Sequence, residues 1–150
     1  MTIKNVTVAG SGVLGYQIAF QAAFHGYKVT VYDISDEVLE KAKAKFNSLS
    51  EAFKNEMNAT DEQLALAFNN LSYSSDLAEA VKDADLLIEA VPENPHIKQE
   101  FYEKLAAVAP EKTIFATNTS TLLPSTLAPY TGRPNQFIAL NFANDIRKYN

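Results

Sequence analysis

With 150 residues, 47% of them apolar and 21% charged, the chain is long enough to bury one ordinary soluble core. A net charge of −5, a pI near 5.0 and no Lys/Arg-rich run argue against nucleic acid as a partner; the absence of cysteine excludes disulfides, thiolate catalysis and Cys-based zinc sites. No apolar stretch reaches the roughly eighteen residues of a membrane span and no signal-like segment precedes the first strand, so the expectation is a cytoplasmic protein with no membrane partner.

A β-branched run at 3–8 leads straight into Gly10-Ser11-Gly12-Val13-Leu14-Gly15 and then into a helical pattern over 13–25, with Gly26 placed to close it. This is the order of parts that holds a dinucleotide pyrophosphate on a helix N-terminus. Gly10 permits the tight turn out of the strand, Gly12 lets the backbone approach phosphate, and Gly15 lets the helix pack against the sheet. Lys28-Val29-Thr30-Val31-Tyr32 reads as a second strand and delivers Asp33, 18 residues beyond Gly15. A carboxylate there accepts hydrogen bonds from a ribose diol and repels a 2′-phosphate, which points to NAD over NADP. No arginine follows Asp33 to reverse that preference. The plainer alternative is an ordinary turn with Asp33 capping a loop, and it leaves the strand, glycine and helix context unexplained.

Residues 35–70 are too many for a simple crossover and read as two helices, about 36–56 and 61–69. Thr60 and Gln63 have capping-box spacing at the second of them. A pair of this size is expected to project from the sheet. Lys41 and Lys45 share one helical face, either as a solvated charged surface or as contacts for phosphates of a bulky substrate carrier. Further strands are expected at 71–74, 85–90, 113–117 and 137–141. A short helix follows Asp76, and a longer one over 95–109 buries Ile97, Phe101, Leu105 and Val108. His25 and His96 read as exposed helix-end residues and make no metal site. The alternation predicts an α/β fold: a Rossmann doubly wound, mostly parallel sheet of order 3-2-1-4-5-6, with a helical-pair insertion after strand two.

Two later segments lie where the fourth and fifth strands end. Ile88-Glu89-Ala90-Val91-Pro92-Glu93-Asn94 puts Ala90, Val91 and Glu93 on one loop, and Ala116-Thr117-Asn118-Thr119-Ser120 puts small polar side chains on the other. Read alone, Asn118 to Ser120 is a turn or a helix cap. Together with the glycine motif, however, these segments closely resemble the NAD-binding domain of the 3-hydroxyacyl-CoA dehydrogenases, nearest the 3-hydroxybutyryl-CoA branch. The resemblance covers essentially the whole chain. It implies that Gly10 to Gly15 with Ala90 and Val91 cradle NAD, that Asp33 holds the adenosine ribose, and that Glu93 and Lys98 sit near the nicotinamide ribose. It also implies that Ser120 binds the substrate's 3-oxygen, that Asn118 shapes that pocket, and that Asn144 contacts the cofactor. The implied reaction interconverts (S)-3-hydroxyacyl-CoA and 3-ketoacyl-CoA, with acyl-CoA as the substrate.

The family's general base is a histidine 21 residues after that serine, and in this chain the position holds Asn141. A neutral imidazole takes up a proton near pH 7, whereas an amide does not. Asn141 is therefore the proton-transfer position with its base removed, and impaired turnover is expected. The family's all-helical C-terminal domain is also absent from these 150 residues. One reading is a weakened dehydrogenase domain; the other is a non-catalytic NAD-binding module that self-associates through an exposed sheet edge, whether as a natural truncation, an engineered fragment or a redesigned scaffold.

Overall fold

The computed structural model describes residues 2–118 and 124–140. Among the described residues, six strands form one parallel sheet: β1 (Asn5–Ala9), β2 (Lys28–Tyr32), β3 (Leu71–Ser74), β4 (Leu86–Glu89), β5 (Ile114–Thr117) and β6 (Phe137–Ala139), in the order β3-β2-β1-β4-β5-β6. That is the expected doubly wound order, with β1 at the centre, paired to β2 on one side and β4 on the other. The chain reverses its winding direction between β1 and β4. The carboxyl ends of those two strands therefore splay open a crevice.

Helices α1 (Val13–Phe24), α2 (Asp36–Met57) and α3 (Asp61–Asn69) cover one face, and α4 (Leu77–Val81) and α5 (Pro95–Val108) cover the other. A short α6 (Pro124–Leu127) precedes two 3₁₀ turns that lead into β6. Local rules explain most boundaries. Ser35, Thr60, Asp76 and Asn94 each accept a backbone N–H at the start of their helix, and Thr60 with Gln63 completes the expected capping box. Gly26 closes α1 at φ +99°, a conformation that glycine adopts without strain.

The helical pair α2–α3 is where expected but does not stand clear of the sheet. Leu39, Ala42, Phe46, Leu49 and Phe53 recur along one face of α2, and all are buried. Phe20 of α1 is the hub of this layer, with ring centroids 6.1 Å from Phe46, 5.0 Å from Phe53 and 5.5 Å from Phe68. So much apolar area on one helix face gains more by folding back over α1 than by projecting into water. On α5 the buried face is also rotated from expectation. Lys98, Phe101, Tyr102 and Leu105 are buried, while Ile97 and Val108 are 44% and 41% exposed. The cause is polar: the face turns to bring Lys98 and Tyr102 onto a buried carboxylate, as described below.

The sheet is also pinned at its opposite end. Asp85 Oδ2 accepts the N–H groups of Lys4 and Asn5, each at 2.9 Å, and its Oδ1 lies 2.9 Å from Lys112 Nζ. The Asn5 and Lys4 amides, then Lys112, hold its carboxyl well below the usual carboxylate range. Because its pKa is lower folded than unfolded, the stabilisation is complete above about pH 4 and drains away as pH falls toward the folded value. Asp85→Asn is expected to flatten the acid limb of a pH-dependent melting series relative to the unsubstituted chain. An unchanged acid limb would refute this role. Phe20→Ala should cost about 3–5 kcal/mol by urea unfolding, since it empties the centre of the α1–α2–α3 layer.

Candidate functional site

The crevice has a volume of about 1060 Å³ and runs across the carboxyl ends of β1, β2, β4 and β5. Its floor is the turn between β1 and α1. Gly10 adopts φ +101°, its N–H donates to Tyr32 O at 2.8 Å, and a Cβ there would collide with the carbonyl of Ala90. A Cβ on Gly15 would strike the Gly10 carbonyl. Gly12 differs, because a Cβ on it would meet nothing within 4 Å. The first and third glycines are thus required by the protein's own backbone, whereas the second faces open space in the crevice.

Alone among α1 to α5, α1 begins without a side-chain cap; its N-cap is Gly12. Its first amide groups and the positive end of its dipole therefore face the crevice, which suits an anion. The rim carries apolar surface open to water, with Val13 69%, Ile34 80% and Ile97 44% exposed, all lining the same space. A phosphate-receptive turn flanked by uncovered apolar side chains fits a dinucleotide, whose pyrophosphate would lie on α1 and whose base would cover the aliphatic rim.

Asp33 stands at the mouth of the crevice. Its Oδ2 accepts both the N–H (2.9 Å) and the hydroxyl (2.7 Å) of Ser11, and its Oδ1 accepts the N–H of Ile34 at 2.8 Å. On the opposite wall, Glu89 is fully buried at the end of β4. Its carboxylate accepts Lys98 Nζ (2.5 Å), Thr117 Oγ1 (2.6 Å), Val91 N–H (3.0 Å) and the Tyr102 hydroxyl (3.1 Å). Lys98 Nζ, also fully buried, reaches Glu93 Oε1 at 3.0 Å. Burial, then the charge on Glu89, pushes the Tyr102 hydroxyl far above its ordinary value, so it stays a proton donor. These contacts tie β4, β5, α5 and the loop bearing Glu93 into one unit.

The family described as "3-hydroxyacyl-CoA dehydrogenase, NAD binding domain" matches residues 5–150. The chain belongs to this family. Mitochondrial hydroxyacyl-coenzyme A dehydrogenase of Rattus norvegicus is 36% identical over 149 residues, covering 96% of this chain and 48% of that protein. A probable 3-hydroxybutyryl-CoA dehydrogenase of Bacillus subtilis is 34% identical, covering 97% and 50%. Among solved structures, (S)-3-hydroxybutyryl-CoA dehydrogenase of Ralstonia eutropha superposes with a TM-score of 0.91 at 30% identity, over 97% of this chain and 51% of that one. A diketoreductase described by its catalysis of dicarbonyl compounds gives 0.94 at 55% identity, over 97% and 52%. The chain spans about half the length of the curated relatives it matches.

The cofactor of this NAD-binding domain family is NAD, and the crevice fits it on the grounds of open Gly12, uncapped α1 and exposed rim. The structure brings Gly10, Ser11, Gly12, Val13, Leu14, Asp33, Ala90, Val91, Glu93 and Asn118 together along that crevice. Gly15 packs behind it. Lys98 lies enclosed behind Glu93 and between two carboxylates, a burial that a cation accepts only with such partners. Ser120, Asn141 and Asn144 lie outside the described residues. His25 and His96 are exposed as expected.

Sequence reasoning missed the Glu89 cluster and the crevice roles of Ile34, Ile97 and Phe101. One signal was available: Glu89 is a charged residue inside a central parallel strand, where both faces are covered and a carboxylate needs a partner. Lys98→Met would leave that carboxylate buried and uncompensated. The expected loss is about 3–5 kcal/mol by urea denaturation, with Glu89→Gln/Lys98→Met losing less than the sum of the single variants. Strict additivity would count against the coupling.

Proposed function

We propose that this chain binds NAD across the crevice and serves a 3-hydroxyacyl-CoA dehydrogenase reaction. That reaction interconverts a (S)-3-hydroxyacyl-CoA and its 3-ketoacyl form. One observation carries the reading: the crevice combines an uncapped α1, an open face at Gly12 and a fixed carboxylate at Asp33. In this proposal the α1 amides hold the pyrophosphate, Asp33 holds the adenosine ribose diol, and Glu93, braced by Lys98, faces the nicotinamide ribose. Asn118 and Ser120 flank the substrate's 3-oxygen, and Asn144 contacts the cofactor. When bound, NAD supplies a hydride acceptor for C3 of the alcohol, and the hydroxyl proton must leave to a base.

A 3-ketoacyl thioester is itself a dicarbonyl compound, the substrate class named for the 55%-identical diketoreductase. The proposed substrates are accordingly carbon chains carrying two carbonyls, with the CoA thioester foremost. Asn141 stands where the family resemblance implies the histidine base, and an amide there removes general-base assistance of about 10²–10⁴ in rate. That residue favours a second reading, a module that keeps the cofactor and has lost the reaction.

The test is thermal stabilisation and fluorescence titration with NADH, followed by its oxidation in the presence of acetoacetyl-CoA or acetylacetone. NADH binding with slow turnover of acetoacetyl-CoA is expected. No response at millimolar NADH would overturn the proposal. Binding without turnover of either dicarbonyl would leave the non-catalytic module.

A further inference from the structure

The two lysines singled out on α2, Lys41 and Lys45, line the crevice together with Asp33 and Ile34. Lys45 Nζ lies 3.3 Å from the Ser11 carbonyl oxygen and 5.4 Å from the centre of the Tyr16 ring. Lys41 pairs with Glu37 only at 4.0 Å, and both side chains are largely exposed. The adenosine end therefore carries two cations beside its carboxylate. A phosphate ester on the ribose would be attracted by the lysines and repelled by Asp33. A plain diol would gain from Asp33 and little from the lysines.

We infer that Ser11 is a positioning residue: its hold on Asp33 strengthens the preference for a ribose diol that this carboxylate exerts against the pull of Lys41 and Lys45 on a 2′-phosphate. The inference rests on the proposed NAD site and extends it to the basis of cofactor choice. Asp33 Oδ2 is taken up by two donors from one residue, the Ser11 amide and hydroxyl. Oδ1 receives the Ile34 amide and keeps acceptor capacity for a ligand. Ser11 is 2% exposed, so its hydroxyl is committed to this bond and does not exchange it freely with water. Without that hydroxyl, Oδ2 keeps one bond, and the carboxylate gains freedom to swing from the diol and from an incoming phosphate. The lysines then pull a phosphate against a carboxylate that is still charged but less firmly aimed.

NADH and NADPH affinities should be measured by fluorescence titration for the unsubstituted chain and for Ser11→Ala, Asp33→Asn and Asp33→Asn/Lys41→Ala/Lys45→Ala. The unsubstituted chain is expected to prefer NADH. Ser11→Ala should narrow that preference by about tenfold, the scale of one lost hydrogen bond to a charged group. Asp33→Asn should tighten NADPH binding, and removing both lysines should abolish the gain. The ratio of the two affinities is the deciding readout, because damage to the fold weakens both cofactors alike. Equal weakening by Ser11→Ala would overturn the inference, as would NADPH binding in Asp33→Asn that is indifferent to the lysines. Should Ser11→Ala fail to fold, Ser11→Gly, which also removes the hydroxyl from Asp33, carries the decision by the same ratio. Failure of the unsubstituted chain to bind NADH would instead overturn the underlying site.

Discussion

The close approach of two chain crossings governs this molecule. Where β1 turns into α1, Gly10 lies against the carbonyl of Ala90, which is where β4 ends. No side chain fits between them, and the backbone there needs a positive φ. The first strand, the start of the first helix and the exit of the fourth strand are thereby held at fixed distances. The crevice between β1 and β4 inherits its shape from that contact. The α1 N-terminus faces open space because Gly12 offers neither a cap nor a side chain to fill it.

A second constraint acts on the other wall. Glu89 puts a negative charge at the end of a strand covered on both faces, and burying it is tolerable only because donors converge from four places. The orientation of α5 follows from this. Its buried face is chosen by Lys98 and Tyr102 as well as by Phe101 and Leu105, which leaves Ile97 facing the crevice as uncovered aliphatic surface. Electrostatics and apolar packing are thus parts of one solution. The carboxylate orders the wall, and the wall presents Glu93 and Ile97 to a ligand.

Asp33 and Ser11 repeat this logic on a smaller scale. A single residue of the glycine turn gives two donors to one carboxylate oxygen, so the turn and the end of β2 are fixed to each other. Lys45 closes the chain of contacts at the Ser11 carbonyl and brings the α2 helix to the same rim. The α2–α3 insertion therefore does more than cover α1. It sets positive charge at the Asp33 end of the crevice, carried there by the aromatic packing that anchors it.

The amino-acid order alone determined the six strands, their 3-2-1-4-5-6 arrangement, the capped starts of α3 and α4 and most of the glycine turn. Each of these depends on short-range rules: strand periodicity, a cap three residues from its acceptor, glycine where a Cβ cannot go, and a right-handed crossover. Asp33 was legible because it follows the second strand directly. What only the tertiary structure decided was which distant residues meet. Glu89 finds Thr117 through the register of β4 with β5 and Lys98 through the rotation of α5. The Phe20 cluster folds α2 back over α1, and the same packing brings Lys45 to Ser11. No local pattern encodes such pairs, because the partners lie 9 to 34 positions apart and their contact depends on how whole elements settle against one another.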